Sequence, residues 1–205
     1  MIYAALFLTA AANAQPDAGI FEITPYGAYS FGGTFNDSET GASVALKNST
    51  NAGLILNFRE SANTQWEVLY SLQPAEADVT GLTTTTSPLD IDVHYLQAGG
   101  TYQADGDRVR PYLAATVGAA HYDVKTEGFD SDTFFSFSIG TGLQLRPNDR
   151  LGLRLEARLF GTFLKSDSTL FCVSDPGGGT AGCAFTVTGE ILWQVQTMAG
   201  VVFRF

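Results

Sequence analysis

The sequence is poor in charged residues and lacks any long apolar segment. Charged residues make up 16% of the 205 positions, whereas about 25% is typical of soluble domains. A membrane-spanning helix needs about 20 consecutive apolar residues, and no segment of the chain meets that requirement. The net charge of −10 argues against a nucleic-acid partner, because phosphate groups would repel an acidic protein.

Cysteine is almost absent, and the two cysteines flank one turn-rich segment. Cys172 and Cys183 enclose VSDPGGGTAG. In an oxidising compartment such a pair is typical of a disulfide, which contributes roughly 3 kcal/mol by closing a loop of this size. A zinc site is the weaker alternative, because zinc takes about four ligands and neither His94 nor His121 is near in sequence. A redox pair is weaker still, because the spacing is not Cys-x-x-Cys. The sequence therefore predicts no metal and no cofactor.

Glycine and aromatic residues, by contrast, are abundant, with 22 glycines and 12% aromatics. Together with the low charge, this composition is typical of a β-protein with an unusual exterior. The terminal segment AGVVFRF shows the underlying pattern, because Val201, Phe203 and Phe205 alternate with a mixed set of residues. Successive side chains of a strand point to opposite faces, so the segment predicts a strand with one apolar face.

Seven further segments show the same period of two, which argues against helices. They are FEITPYGAYSFGG, TNAGLILNF, QWEVLYSLQ, LDIDVHYLQAGGTYQ, RPYLAATVGAAHY, FFSFSIGTGLQLR and LGLRLEARLFGTF. Short connections alternate along the chain with long ones; the short ones are 59–63, 104–109 and 147–150, and the long ones are 36–49, 75–87, 126–132 and 166–189. This order predicts an all-β fold, an eight-stranded antiparallel up-and-down transmembrane β-barrel with short periplasmic turns and long extracellular loops.

The segment LDIDVHYLQAGGTYQ changes phase in its middle. Apolar residues occupy the odd positions up to Tyr95 and the even positions from Leu96 onwards. One extra residue near Tyr95 would restore the alternation, so the sequence predicts a β-bulge there.

The apolar face of the strands is predicted to contact lipid. A soluble barrel would turn that face inward, but the opposite face is rich in small residues, which suit a crowded barrel interior. The apolar face carries almost no charge, and as a soluble surface it would be a large adhesive patch. Aromatic residues near the strand ends are typical of the girdles of membrane barrels. The predicted girdle residues are Trp66, Tyr70, Phe135, Phe163 and Trp193.

The first residues are typical of an export signal. An apolar stretch runs from Ile2 to Ala12, and Ala12-Asn13-Ala14 matches the small-x-small pattern of a signal peptidase site. No Lys or Arg precedes the apolar stretch, and a short strand or a buried helix is the alternative interpretation. We expect a signal peptide over 1–14 and a single barrel domain over 15–205.

Charged residues on the inward face are predicted to line the lumen of the barrel. They are Glu22, Glu67, Arg146, Arg154, Glu156, Arg158, Glu190 and Arg204. Unpaired charges in a narrow lumen would be costly, so we expect ion pairs that fill the barrel. Glu22 and Arg204 lie near the same end of the first and last strands and are expected to pair where the barrel closes. The alternative function of such pairs is a gate, since interior charges set ion selectivity where a water path exists.

Several stretches resemble small bacterial outer-membrane β-barrels of the OmpA-like, stand-alone type. They are RPYLAATVGA, DRLGLRLEAR and the end GEILWQVQTMAGVVFRF. The resemblance covers nearly all of the chain after the predicted signal peptide and implies the bacterial outer membrane as the location. Phe205, with Phe203 and Val201 two and four residues back, is similar to the signal read by the outer-membrane assembly machinery. The resemblance therefore implies that machinery, outer-membrane lipid and lipopolysaccharide as partners.

Barrels of this kind have diverse functions, and the fold does not select among them. We expect a structural or surface-interaction barrel with a charged, filled lumen and a disulfide-stapled extracellular loop. The alternative is a narrow gated channel for ions or small solutes. A lipid-modifying enzyme at the rim is less favoured, because neither His94 nor His121 has an obvious nucleophile nearby in sequence, so no enzymatic activity is expected.

Overall fold

The computed structural model of the chain describes residues 21–36, 43–80, 89–125, 131–164, 172–174, 180–183 and 191–205. The predicted signal peptide, 1–14, and the predicted lumen residue Glu190 lie outside these ranges. Within the ranges, no helix is both long and apolar enough to cross a membrane.

The described residues form β-strands joined by turns. The strands are β1 (Phe21–Phe31), β2 (Thr34–Asn36), β3 (Ser43–Leu46), β4 (Ser49–Arg59), β5 (Thr64–Thr80), β6 (Leu89–Gln103), β7 (Val109–Val124), β8 (Asp132–Leu145), β9 (Leu151–Phe163), β10 (Cys172–Ser174), β11 (Thr180–Cys183) and β12 (Ile191–Arg204).

Eight of these strands close into an antiparallel barrel. The ring runs β1–β4–β5–β6–β7–β8–β9–β12, and β12 pairs back to β1. Closure gives each of the eight strands a hydrogen-bonded neighbour on both sides, which is what a sheet in hydrocarbon requires. The predicted fold class, an eight-stranded antiparallel barrel, is confirmed.

The two ends of the barrel differ in their connections. Residues 60–63, 104–108 and 146–150 join strands at one end, which we name the short-turn end. The remaining connections leave from the opposite end, the long-loop end. Strand structure extends further there than the sequence predicted: β5 continues to Thr80, and β3 pairs with that extension. The predicted loop 166–189 likewise contains β10 and β11, which pair with each other.

Side chains alternate strictly between the lumen and the exterior. In β9 the buried residues Arg154, Glu156 and Arg158 alternate with the exposed Leu153, Leu155 and Leu159. The same alternation holds along β12. The hydrophobic exterior and polar interior invert the arrangement of a soluble barrel, and the exposed face is the one that the sequence pattern assigned to lipid.

The predicted β-bulge near Tyr95 is wrong. β6 pairs in unbroken register with both β5 and β7 through this region. Ile91, Val93 and Tyr95 face a buried apolar cluster in the lumen, whereas Leu96 faces outward. The inward side chains of β6 are apolar from Ile91 to Tyr95, where they join this cluster, and polar at Gln97 and beyond, so the apolar residues change face without an extra residue.

Candidate functional site: the charged lumen

Four charged side chains from two strands meet inside the barrel. Glu67 comes from β5, and Arg154, Glu156 and Arg158 are successive inward positions of β9. We name this set the four-charge cluster. Arg158 and Glu67 are each only 1% exposed. Two arginines and two glutamates balance, so the cluster carries no net formal charge.

Each carboxylate in the cluster contacts both arginines. Arg154 Nη2 donates to Glu67 Oε2 at 2.8 Å, and Arg158 Nη2 donates to Glu67 Oε1 at 2.6 Å. Arg154 Nη2 also donates to Glu156 Oε2 at 2.7 Å, and Arg158 Nε donates to Glu156 Oε1. This closed arrangement keeps each buried charge beside two charges of opposite sign, which offsets the cost of removing it from water.

Neutral side chains satisfy the remaining polar atoms of the cluster. Asn57 and Thr101 donate to Glu67 Oε2 at 3.2 and 2.7 Å. Tyr112 donates its hydroxyl hydrogen to Glu156 Oε2 at 2.7 Å and accepts from Arg154 Nε at 2.9 Å. The Arg154 guanidinium carbon also lies 4.5 Å from the centre of the Tyr112 ring, within the range of a cation–π contact. These partners hold the charges in one geometry.

Two inward glycines of β8 make room for these large side chains. A Cβ at Gly140 would overlap Glu156 Oε1, and one at Gly142 would lie 2.5 Å from the Tyr112 hydroxyl. Glycine weakens a strand interior and often marks a close approach. The glycines of FFSFSIGTGLQLR therefore have a packing cause in the four-charge cluster.

A second charged group lies at the short-turn end. Arg204 Nε donates to Glu22 Oε1 at 2.7 Å, and these two residues are paired in register where β12 meets β1. Gln144 Nε2 donates to Glu22 Oε2 at 3.1 Å. Arg146 lies 3.8 Å from Glu22 and donates to Gln103 Oε1 at 2.7 Å. Glu22, Arg146 and Arg204 are therefore brought together, separately from the four-charge cluster.

Two groups beyond the strand ends have shifted pKa values. Burial, with the nearby positive charges of Arg204 and Arg110, lowers the pKa of Arg146 to about 10. At the opposite end, a hydrogen bond to Asp123 raises the pKa of Lys125. Lys125 Nζ lies 2.5 Å from Asp123 and 3.4 Å from Asp92. These three residues form an exposed group of ion pairs on the exterior of the long-loop end.

The five predicted girdle residues all lie on the exposed face of the barrel. Phe135 and Phe163 rings lie 5.7 Å apart, and Phe137 meets Trp193 at 5.5 Å. Trp66 pairs in register with Phe58 near the short-turn end. Tyr70 is four residues further along β5 and donates to, or accepts from, His94 Nδ1 at 3.0 Å.

The last residue, Phe205, forms backbone hydrogen bonds where the first and last strands of the barrel meet. Phe205 N donates to Phe21 O at 3.0 Å, and Phe21 N donates to Phe205 O at 3.4 Å. The rings of Phe205 and Phe21 lie 6.4 Å apart. Val201, Phe203 and Phe205 all point outward, so the predicted assembly residues form an exposed apolar row.

The backbone places the two cysteines opposite each other. Cys172 and Cys183 are paired in register in the ladder of β10 and β11. Directly opposed positions of an antiparallel ladder lie about 4.5–5.5 Å apart, which is within the Cα separation that a disulfide accepts. The disulfide itself stays a prediction.

The two histidines stand side by side on the exterior. His94 and His121 are opposed in register, with ring centres 6.2 Å apart. Their Nδ1 atoms contact the hydroxyl groups of Tyr70 and Thr133. Over the part of the chain that the structure describes, no group of three or more His, Cys, Asp or Glu side chains could hold a metal ion.

Sequence reasoning missed the neutral half of the lumen. Asn57, Thr101 and Tyr112 contact the four-charge cluster, yet only charged residues were singled out. The period-of-two pattern could have found them, because each has the inward parity of its strand. Their hydrogen-bond partners lie up to 97 positions away, and no local pattern reports such a contact.

Comparisons with known proteins agree with this architecture. The model of the family described as "Outer membrane protein beta-barrel domain" matches residues 2–191. No curated protein matches the chain in sequence.

Two solved structures have the same fold. Neisserial surface protein A is 14% identical, with a TM-score of 0.59 over 92% of this chain and 99% of that one. The outer membrane protein AlkL, solved in lipid bilayers, is 15% identical, with a TM-score of 0.51 over 98% of this chain and 97% of that one. At these identities the likeness concerns the fold alone.

Proposed function

Since the chain belongs to the outer membrane protein β-barrel domain family, we propose that this outer-membrane barrel is a closed scaffold for surface interactions. The observation that carries the proposal is the four-charge cluster. Its charges are balanced, fully buried and bonded to neutral partners as well as to each other. An arrangement so completely satisfied is suited to filling a lumen and fixing strand register.

The orientation follows from the connections. Short turns of outer-membrane barrels face the periplasm and longer loops face the exterior. The short-turn end is then periplasmic, and Arg108 and Arg150, which are exposed in its turns, lie where the phosphates of the inner leaflet are expected. The long-loop end faces lipopolysaccharide and the medium. A cleaved signal peptide over 1–14 would deliver the chain to this compartment.

The loop between Cys172 and Cys183 is the proposed interaction surface. A disulfide joining these opposed positions would stiffen the loop, and a stiffer loop loses less entropy on binding. Alkylation of the folded, unreduced protein tests the bridge. We expect no modification without reductant and two modified cysteines with it, whereas labelling of the unreduced protein would contradict the staple.

Phe205 is the proposed recognition point for the assembly machinery. Its side chain is exposed, whereas its backbone is bonded to Phe21. Phe205→Gln should reduce assembly in cells while leaving refolding into lipid vesicles nearly unchanged. Phe163→Gln, at the other end of the exposed face, is the matched control. Equal losses in cells and in vitro would instead assign Phe205 a role in stability alone.

An enzymatic role is not proposed. The Nδ1 atoms of His94 and His121 contact the hydroxyl groups of Tyr70 and Thr133 on the exposed face. The lipid A and phospholipid profiles of cells should not change with His94→Ala or His121→Ala. A changed profile in either variant would establish a lipid-modifying activity.

Liposome swelling tests the closed scaffold against the alternative of a narrow channel. Vesicles that contain the refolded barrel are transferred into isosmotic solutions of small neutral sugars. A closed lumen predicts the same light scattering as empty vesicles. Swelling that depends on sugar size would overturn the scaffold and establish a channel for small solutes.

A further inference from the structure

Four buried amide side chains form a layer in the lumen between the four-charge cluster and the long-loop end. Asn51 comes from β4, Gln73 from β5, and Gln194 and Gln196 from β12. Their exposed fractions are 7%, 1%, 2% and 1%. β1 lies between β4 and β12 in the barrel, so the amides line one continuous part of the wall. We name this set the amide layer.

Apolar side chains bound the amide layer on both sides. Along β5 the nearest inward apolar residue on one side is Leu69, with Ser71 between it and Gln73, and on the other side it is Ala75. Along β12 the corresponding residues are Met198 and Leu192. All four belong to one buried apolar cluster. On the long-loop side this cluster also includes Ile91, Tyr122, Phe134 and Leu164, and these we name the apolar cap.

Several atoms of the amide layer have no hydrogen-bond partner in the protein. They are Gln73 Nε2, Gln194 Nε2, Gln196 Nε2 and Asn51 Oδ1. The orientation of two of the amides is set by other contacts. Gln194 Oε1 accepts from the Tyr95 hydroxyl at 2.6 Å, and Asn51 Nδ2 donates to Ser30 Oγ at 3.0 Å. Because the Tyr95 and Ser30 hydroxyl groups can each donate or accept, rotating either amide by a half-turn would keep the bond and leave the other amide atom without a partner.

The unpartnered atoms are close to one another across the sheet. Gln196 is opposed in register to Ser30, which is the hydroxyl partner of Asn51. Asn51 and Gln73 each lie one residue beyond the opposed pair Ala52 and Leu72. Three donors and one acceptor therefore face the same region of the lumen, with Tyr95 contacting it from the far side.

We infer that the amide layer binds a small cluster of ordered water molecules inside the barrel. A buried amide group without a partner carries its full desolvation cost, and buried water commonly satisfies such groups with two to four hydrogen bonds. The layer offers both donors and an acceptor, so it suits a neutral molecule that donates and accepts.

The water cluster is enclosed by charged side chains on one side and by apolar side chains on the other. The four-charge cluster separates it from the short-turn end, and the apolar cap separates it from the long-loop end. The water cluster therefore occupies a hydrated segment of the lumen between two barriers, and we name this segment the chamber. This inference does not depend on the proposed scaffold role, because a wet chamber is compatible with a silent barrel and with a conducting one.

Proton-detected solid-state NMR of the full refolded barrel in deuterated lipid bilayers tests the inference directly. At short mixing times, the side-chain NH₂ signals of Gln73, Gln194 and Gln196 should each show a cross-peak at the water frequency. The control is Gln103, whose Nε2 donates to both Gln65 and Gln144, so its NH₂ signal should show none. The wild-type protein suffices, so no variant has to fold.

A variant adds a second readout. Gln196→Met removes one donor with little change in volume, so the water cross-peaks of Gln73 and Gln194 should weaken by about half or more while Gln103 is unchanged. Absence of water cross-peaks from all three glutamines in the wild-type barrel would overturn the inference and show that the chamber is dry. Retention of full intensity in Gln196→Met would show that the amides do not share one cluster.

Discussion

Glu67 lies between Arg154 and Arg158 and accepts a hydrogen bond from each, at 2.8 and 2.6 Å. The three residues come from two strands that are not neighbours in the barrel, β5 and β9. The contact therefore crosses the lumen and joins opposite parts of the wall. Glu156 repeats the arrangement from the β9 side, so the barrel is braced by ion pairs across its interior.

Neutralising Glu67 should destabilise the barrel strongly. Glu67→Gln keeps the shape but leaves Arg154 and Arg158 with one carboxylate, and an uncompensated buried charge costs about 3–5 kcal/mol. The matched control is Glu76→Gln, because Glu76 pairs with Lys47 at 2.9 Å on the exposed surface, where a pair is worth about 0–1 kcal/mol. Urea unfolding in lipid vesicles measures both, and equal losses would contradict the bracing role.

Adding one methyl group at Gly140 should disturb the same cluster. Its Cβ would overlap Glu156 Oε1, whereas a Cβ at Gly27 would meet no atom within 4 Å. Overpacking of a filled interior costs about 1–3 kcal/mol, so Gly140→Ala should lower the free energy of unfolding by that amount. Gly27→Ala, on the exposed face of the same barrel, should be neutral or slightly stabilising. A harmless Gly140→Ala would show that the cluster has spare room.

The pair at the seam should contribute less than the four-charge cluster. Arg204→Met removes the hydrogen bond to Glu22, but Arg146 remains 3.8 Å from that carboxylate. We expect a loss of about 2–3 kcal/mol in the free energy of unfolding. Arg150→Met is the control, because Arg150 is exposed in the adjacent turn and surface changes usually stay within about 0.5 kcal/mol. A loss of only about 0.5 kcal/mol in Arg204→Met would show that the Glu22–Arg204 pair does not stabilise barrel closure.

The barrel could be predicted from the sequence because its signals are local. A period of two, as in LGLRLEARLFGTF, assigns each side chain to a face, and alternating short and long connections assign each strand to its neighbours. The pairing of Glu22 with Arg204 followed from closure alone, because an up-and-down barrel must bring its first and last strands together.

Other features depend on contacts that no local pattern reports. The phase change at Tyr95 was interpreted as a bulge because the lumen was assumed to be polar throughout, whereas an apolar cluster lines the lumen beside this part of β6. The role of Tyr112 depends on partners in β9, which the sequence places 42 and 44 residues away. The amide layer was missed because unsatisfied hydrogen bonds become visible only when every neighbour is placed.

Planar-bilayer conductance of the refolded wild-type barrel tests the central claim, that the charged lumen is closed. Heat-modified mobility on gels first establishes that the barrel is folded, and Arg154→Ala is recorded beside it with Arg150→Ala as the control. The account predicts a silent membrane for the wild type and for Arg150→Ala, so steps seen only in Arg154→Ala would identify the four-charge cluster as part of the barrier. Steady conductance steps from the folded wild-type barrel would contradict the claim and show that ions pass through the lumen.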